Sequence, residues 1–384
     1  MAASDQILFN VSQSQRRLSL LLFRKTISIP SRRSTLRGSI FAVAFAISLG
    51  AGLSQAAGTI NILETGSSLL YPLFNLWVPV YTQAHPGVKI TTQSTGSGTG
   101  ISQAVEGIAQ IGASDAYVSN ALMKRNSNLL NIPLAISMQM VNYNLPGLNH
   151  QHLRLSGPVL AGIYEGKIRD WNAPEIAKLN PGIHLPHHNI IPVHRSDGSG
   201  DTFIFTQYLS FSTPQWSSSI SYGTTVSWPA VSGGLGAVGN PGMITATNGN
   251  PYSIAYIGSS YQAAIEKDGL GIAMLENRAG HFVLPETGTA AAAAAVMVPK
   301  TPKDQRVSLI FAPGPNSYPV INYEYAIVSR KQPSAQMAAA LRSFFTWAIS
   351  KTGGNAPRFI KQVHFVPLPE AVAKLSAAQI AEIR

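Results

Sequence analysis

The segment Arg195-Ser-Asp-Gly-Ser-Gly-Asp-Thr202 contains the residue types that bind an oxyanion. Glycine lets the backbone approach a ligand closely, and a helix predicted over Phe203–Ser210 would add free N–H groups and the positive end of its dipole. Arg195 supplies a planar guanidinium that suits tetrahedral oxyanions. Asp197 and Asp201 require a separate explanation, because carboxylates repel anions.

Two similar segments occur earlier, Thr65-Gly-Ser-Ser68 and Thr95-Gly-Ser-Gly-Thr-Gly100. Each follows a predicted strand and precedes a predicted helix. The strands are predicted over 60–63, 88–92 and 111–115, and the helices over 69–84 and 101–106. The third strand brings Asp115 to its carboxyl end. Strands that alternate with helices predict an α/β fold with mainly parallel sheets, in which ligands bind beyond the carboxyl ends of the strands. We therefore expect these loops to converge on one anion.

The first 56 residues have the pattern of an export signal. Residues 1–38 carry seven basic side chains and one acidic one, and the apolar run Ile40–Leu53 ends in small residues near Ala56. Ser31–Arg37 resembles a twin-arginine signal, which leaves that route open beside the general secretory route. We expect cleavage near Ala56 and a periplasmic protein, with release from the cell as an alternative.

Charge patterning argues against a nucleic-acid binder. The chain has 28 basic and 17 acidic side chains, but removal of residues 1–56 leaves 21 and 16, a net charge of +5. The remaining basic residues are scattered, whereas nucleic-acid binders cluster them. The chain has no cysteine and can form no disulfide.

The rest of the chain predicts further elements. Helices are predicted over 157–164, 174–179, 290–295 and 334–350, and strands over 190–194 and 320–328. Residues 213–249 are rich in Gly, Ser, Thr and Pro and predict loops. The segment Asn142–Gly147 is predicted to cross between domains. Phe74, Trp77 and Tyr81 follow helical spacing and are predicted to lie in the core.

Six motifs follow one another in order: Thr65–Ser68, Gln93–Gly100, Ile111–Ala116, Asp170-Trp171, Arg195–Gly200 and Phe203–Leu209. With Asn142–Gly147 and Ile321–Tyr325 they resemble the periplasmic phosphate-binding protein of the phosphate ABC importer. The resemblance implies a type II periplasmic-binding-protein fold, with two lobes joined by a two-stranded hinge and the ligand in the cleft. Lobe 1 would comprise residues 57–142 and 321–384, and lobe 2 residues 143–320. It also implies a monomer that delivers phosphate to the membrane permease subunits.

The resemblance assigns phosphate contacts residue by residue. Those from lobe 1 are the Ser68 hydroxyl, the Leu69 backbone, Ser97 and Asp115. Those from lobe 2 are Arg195, Ser199 and Gly200, with Asp197 orienting the arginine. Taken singly, each of these residues is more often a helix cap, a turn residue or half of a surface ion pair. Their common order along the chain favours the phosphate site.

Asp201 departs from members of the family that have threonine there, and resembles the actinobacterial variant. Two roles stay open: the side chain accepts a second proton of phosphate, or the backbone N–H faces the ligand while Thr202 supplies a hydroxyl. Asp115 is expected to accept the hydrogen of hydrogenphosphate, which sulfate lacks at neutral pH, and so to select phosphate over sulfate.

A secreted phosphate-ester hydrolase is the alternative. The sequence has no Gly-x-Ser-x-Gly elbow, and Ser199 has no identifiable base; His194 is close in sequence, but neighbours in a strand face opposite sides. His184, His187 and His188 lie among prolines without an acidic or cysteine partner at ligand spacing, so a solvated loop is expected there rather than a metal site. We predict no cofactor.

Overall fold

The computed structural model describes residues 58–384. The predicted leader, residues 1–56 with the apolar run Ile40–Leu53, lies outside the described residues. Between residues 58 and 384, no helix has both the length and the apolar character needed to cross a bilayer.

The described part of the chain alternates strands with helices. The strands are β1 (Ile60–Gly66), β2 (Val88–Ser94), β3 (Ile111–Ser114), β4 (Leu129–Asn144), β5 (Arg154–Leu155), β6 (Ile191–Arg195), β7 (Leu235–Ala237), β8 (Ser253–Gly258), β9 (Gly271–Ile272), β10 (Met274–Glu276), β11 (Phe282–Val283) and β12 (Ile321–Ser329). The helices are α1 (Tyr71–Ala84), α2 (Ser97–Val105), α3 (Asn120–Arg125), α4 (Gly157–Tyr164), α5 (Pro174–Ala177), α6 (Gly200–Ser212), α7 (Pro214–Ser219), α8 (Gly239–Gly249), α9 (Gln262–Lys267), α10 (Thr287–Met297), α11 (Ala335–Ala348), α12 (Pro357–Ile360) and α13 (Glu370–Ala381).

Strands β1, β2 and β3 form the first strand group, in which β1 pairs in parallel with both neighbours. Because parallel strands carry their carboxyl ends to one edge of a sheet, the polar loops that follow them lie side by side. The Thr65 and Thr95 hydroxyl oxygens are 2.7 Å apart and link the first two loops. Two of the three loops that were predicted to converge are therefore in contact.

Strands β6, β7 and β8 form the second strand group, in which β6 pairs in parallel with both β7 and β8. Helix α6 follows β6 after a short loop, and helix α8 follows β7 directly. The N-termini of these two helices therefore lie at the carboxyl edge of the second strand group.

Strands β4 and β12 lie between the two groups and run antiparallel to their neighbours. Residues 129–138 of β4 pair with β12, residues 139–144 pair with β8, and β12 also pairs with β3. The sheet order is β2-β1-β3-β12-β4-β8-β6-β7. The prediction of mainly parallel sheets is therefore wrong at the centre, where one buried strand of 16 residues runs through both groups.

The prediction of loops over residues 213–249 is also wrong in part, because α7, β7 and α8 lie there. Helix α8 contains three glycines and two asparagines, which favour turns. Its stability comes from packing, since Asn240, Met243 and Thr247 are fully buried. Tertiary contacts override local propensity in this segment.

Two helices begin earlier than the sequence predicts. Helix α2 begins at Ser97 rather than residue 101, and α6 begins at Gly200 rather than residue 203. The Gly-Ser loops thus become the first turns of these helices, and the free N–H groups of each first turn move into the polar edge.

The predicted core of α1 is confirmed. Phe74, Trp77 and Tyr81 are buried. Helix α11 packs on them through Phe344, whose ring centroid is 5.0 Å from that of Tyr81. The chain after β12 thus returns to the first strand group.

Candidate functional site

Arg195 ends β6 with its guanidinium 1% exposed, at the junction of the two strand groups. Nε donates to Asp197 at 2.6 Å, Nη2 also donates to Asp197, and Nη1 donates to Asp201 at 2.6 Å. A buried charge is stable only when it is paired, and this one has two carboxylate partners. Nη1 also donates to the Ser68 hydroxyl at 3.2 Å, and so joins the second strand group to the first.

The guanidinium and its partners shift each other's protonation. Burial lowers the pKa of Arg195, but the hydrogen bond and charge of Asp197 and the charge of Asp201 raise it above its usual value. Burial alone would raise the pKa of Asp197, but Arg195 lowers it overall. Asp197 is therefore ionised and holds the guanidinium in one orientation, as the sequence predicts for an orienting residue.

Asp115 follows β3 and is 1% exposed. Its Oδ1 accepts from the Ser67 hydroxyl and its Oδ2 accepts from the Ser97 hydroxyl at 3.3 Å. Burial raises its pKa, while hydrogen bonds from Glu324 and Ser67 and the charge of Arg195 oppose that rise. The carboxylate is fixed in place and can accept a hydrogen from a ligand that carries one.

Asp201 lies in the first turn of α6 and is 1% exposed. Oδ2 accepts from Asn240 Nδ2 at 2.9 Å as well as from Arg195, and Oδ1 accepts from Gln139 Nε2 at 3.1 Å. Burial and the nearby Asp115 charge raise its pKa to about 7, against the opposing charge of Arg195. The site therefore holds three carboxylates around one guanidinium.

Backbone N–H groups offset the negative charge of these carboxylates. Within residues 58–384, the N–H groups of five predicted contact residues donate to no protein acceptor: Ser68, Leu69, Ser97, Gly200 and Asp201. They lie at the starts of α1, α2 and α6, where helix dipoles favour negative charge. This combination of free N–H groups and helix ends has the chemistry needed to bind an anion through the main chain.

Two glycine positions make the close approach of the loops sterically feasible. A Cβ added to Gly200 would lie 2.3 Å from Asp115 Oδ2 and 2.5 Å from Ser97 Oγ. Gly98 donates its N–H to the Gly198 carbonyl at 2.8 Å, and this bond joins the α2 loop to the loop before α6. The predicted residues on the two sides of the site are thus in direct contact.

The other predicted residues have local roles as well. Ser199 is the N-cap of α6, and its hydroxyl accepts from Thr202 N at 3.2 Å. The Thr202 hydroxyl is 2.7 Å from the Tyr256 hydroxyl. Leu69 is buried, and its carbonyl accepts from Ser260 Oγ at 2.7 Å.

Sequence reasoning missed several residues of this site. Ser67, which the sequence analysis did not single out, donates to Asp115, and the Oγ of the predicted contact residue Ser68 accepts from the Asn240 side chain at 2.9 Å. Asn240 lies in a segment that was predicted as loop. The proline that follows it, Pro241, is typical of the first turn of a helix and could have indicated the start of α8. Gln139 and Glu324 lie on strands β4 and β12, and only long-range pairing brings them here.

Three histidines that the sequence brought into question have other partners. His194 stacks on Trp228 with ring centroids 5.0 Å apart, and its Nδ1 contacts the Arg195 carbonyl oxygen. His187 pairs with Asp170 at 2.7 Å, and His188 stacks on Tyr252. Within residues 58–384, no three histidine or acidic side chains are grouped as metal ligands.

Comparisons with known proteins give a consistent result. The PBP superfamily domain model matches residues 51–352. The phosphate-binding protein PstS of Methanocaldococcus jannaschii is 36% identical over 350 residues, with 85% of this chain and 88% of the relative covered. That of Pasteurella multocida is 36% identical over 319 residues, with 83% and 89% covered.

The fold is also that of a solved relative. The structure of the high-affinity periplasmic phosphate-binding protein PfluDING bound with phosphate aligns with a TM-score of 0.68 at 21% identity, covering 83% of this chain and 93% of that chain. The two-lobed type II fold that the sequence predicted is therefore confirmed. The chain belongs to the PBP superfamily and, within it, to the family of PstS phosphate-binding proteins.

Proposed function

We propose that this protein is an extracytoplasmic receptor that binds inorganic phosphate and delivers it to a membrane ABC importer. The relatives that span most of the chain are named phosphate-binding proteins, which supports this ligand. The export pattern of residues 1–56 supports a periplasmic location after cleavage near Ala56. The partners are the permease subunits, and the protein acts as a monomer without nucleic acid.

The ligand lies between the two lobes, among the backbone donors and the polar side chains described above. The proposed contacts are Ser68, Leu69, Ser97, Asp115, Arg195, Ser199, Gly200, Asp201 and Thr202, with Asp197 orienting the arginine. Lobe 1 comprises residues 57–142 and 321–384, and lobe 2 residues 143–320. The hinge comprises residues 138–142 of β4, where pairing passes from β12 to β8 before the lobe boundary, and the point where the chain enters β12 at Ile321. Closure is stabilised by contacts made only around the ligand.

One observation carries the choice of phosphate: Asp197 and Asp201 are paired with Arg195, whereas the buried Asp115 carboxylate accepts only from hydroxyl groups of the described residues and lies beside the free N–H groups of the site. An ionised carboxylate beside an anion is costly unless the anion brings a hydrogen to it. Hydrogenphosphate has that hydrogen, and sulfate at neutral pH does not. Sites that depend on such a bond reject analogues lacking it by roughly 10⁴- to 10⁵-fold.

Calorimetric titration tests the proposal. The purified protein is freed of carried-over phosphate and titrated at neutral pH with phosphate and then with sulfate. The proposal predicts tight one-to-one binding of phosphate and no heat with sulfate. Heat with neither anion, or equal affinity for both, would reject it.

Binding without catalysis is part of the proposal. The Ser199 hydroxyl caps α6, and the nearest histidine in sequence, His194, is stacked on Trp228. We expect no turnover of a chromogenic phosphate ester. Turnover that Ser199→Ala abolishes would instead establish the hydrolase.

A further inference from the structure

Glu324 is a buried acid directly behind Asp115, and the proposed function gives it no role. It lies on β12, is 0% exposed, and sits two residues after Asn322, whose side-chain amide donates to the Asp115 carbonyl. Tyr325 pairs with Ser114 across the antiparallel strands β12 and β3, so Glu324 and Asp115 occupy the next pair of facing positions. Facing residues of an antiparallel pair have their Cβ atoms about 4.5–5.5 Å apart on one face of the sheet, so the register brings these two acids close together.

The two oxygens of Glu324 have different surroundings. Oε1 accepts from the Ser137 hydroxyl at 2.6 Å. Oε2 is buried and finds no donor within residues 58–384. A buried carboxylate oxygen without a donor is costly, whereas a protonated oxygen there would itself be a donor.

The charges that act on Glu324 are those of Asp115, from the end of β3, and of Asp201, from α6. Both are negative. Burial, followed by the Asp115 charge, raises the pKa of Glu324 well above its usual value. The charge of Arg195 opposes the rise for Asp115, and so favours the ionised form of that acid.

We propose that Glu324 is a positioning residue of the anion site: its protonated carboxyl donates from Oε2 to the Asp115 carboxylate and keeps that carboxylate ionised and oriented toward the ligand's hydrogen. Ser137 fixes the other oxygen and therefore the direction of the donated hydrogen. This role rests on the proposed function, because it serves the acceptor that selects hydrogenphosphate. Glu324 touches Asp115 and acts on the ligand only through it.

Two substitutions of Glu324 distinguish the effect of its hydrogen-bond donor from the effect of its side-chain volume. Glu324→Gln keeps a donor for Asp115 and an acceptor for Ser137, whereas Glu324→Met keeps the approximate size and removes both. Glu64→Gln is the matched control, because Glu64 on strand β1 is equally buried and its carboxylate oxygens have no hydrogen-bond partner within residues 58–384. Urea denaturation of each variant checks that it is folded.

Phosphate affinity is measured by calorimetry between pH 6 and pH 9. We expect Glu324→Gln and Glu64→Gln to bind within about 3-fold of wild type, and Glu324→Met to bind about 10- to 100-fold more weakly, the range for one hydrogen bond to a charged group. Loss of the donor raises the pKa of Asp115. As the pH is lowered, the phosphate affinity of the Met variant should therefore begin to fall at a higher pH than that of wild type. Wild-type affinity in the folded Met variant, or an equal loss in the Gln variant, would overturn the role.

A measurement on the ligand-free protein keeps this inference separate from the proposed function. Carboxyl-carbon NMR of protein labelled at Asp and Glu follows the titration of Asp115 directly. We expect Asp115 to titrate at higher pH in Glu324→Met than in wild type and Glu324→Gln. Unchanged titration would reject the role of Glu324 even if phosphate binds, and the predicted shift would support it even if phosphate does not.

Discussion

Asp201→Asn is the substitution whose effect can be followed furthest from the structure. The native carboxylate accepts from Arg195, Asn240 and Gln139 and is 1% exposed. The new amide oxygen can still accept from Arg195 and Asn240, and its nitrogen can donate to Gln139 if that side chain turns, because Gln139 Oε1 has no donor within residues 58–384. The change therefore removes a titrating group and preserves most of the bonding.

The pH dependence of stability follows from the shifted pKa. Burial and the Asp115 charge raise the pKa of Asp201 from 3.8 to about 7. The folded protein then binds the Asp201 proton more tightly than the unfolded chain does. Protonation of Asp201 therefore contributes fully to the free energy of unfolding below pH 3.8, and this contribution is lost as the pH rises through 7. The free energy of unfolding changes by about 1.4 kcal/mol per pH unit between the two pKa values. Between pH 5 and pH 8 the wild-type protein should therefore lose about 3 kcal/mol more of its free energy of unfolding than the Asp201→Asn variant.

Urea denaturation of the phosphate-free proteins at pH 5 and pH 8 measures this difference. Asp115, Glu324 and Glu64 also have raised pKa values and lower stability at high pH, but they are common to both proteins. The difference between the two pH slopes therefore reports Asp201 together with its charge interactions with Asp115 and Glu324. Parallel slopes would show that Asp201 is ionised throughout as a partner of Arg195, and would refute the reasoning.

Three further substitutions test other parts of the account. Gly98→Ala would place a Cβ 3.1 to 3.3 Å from backbone atoms of Gly198, so we expect phosphate affinity, measured by calorimetry, to fall about 10-fold. Gly288→Ala is the control, because its Cβ would meet no atom within 4 Å, and it should leave phosphate affinity unchanged. Arg195→Lys replaces a planar fork that bonds two carboxylates by a point charge, and we expect affinity to fall about 10- to 100-fold; unchanged affinity would contradict the role of the fork. Burial raises the pKa of Glu64, and both its oxygens lack a partner within residues 58–384. Glu64→Met should therefore raise the free energy of unfolding by about 1–3 kcal/mol, more at pH 8 than at pH 5, and urea denaturation that shows a loss would contradict this.

The sequence predicts the polar edge of the sheet well, because its signals are local. A strand followed by a Gly-Ser loop and a helix is visible at residues 60–84, 88–105 and 190–212, and the structure has these elements in that order. The helix starts were placed too late because glycine and serine in a first turn look like loop. Ser67 and Ser68 have the same side chain, but one contacts Asp115 and the other contacts Arg195. The local sequence does not determine which of the two faces which partner.

The centre of the fold could not be predicted in the same way. Strand β4 is buried on both faces, so it lacks the alternation that marks a strand, and Pro133 within it argues against one. Asn240 and Glu324 reach the site through helix α8 and strand β12, whose neighbours are distant in sequence. Their contribution depends on the sheet order, which emerges only in the folded chain.

The titration of wild type and Asp115→Asn with phosphate and sulfate, side by side, tests the central claim most directly. The Asn side chain can donate to an oxyanion that has no hydrogen, so sulfate should no longer be excluded. We predict that the preference for phosphate falls by at least about 100-fold, as expected when a buried acceptor no longer demands a hydrogen from its ligand. Rejection of sulfate by the variant as strongly as by wild type would contradict the account.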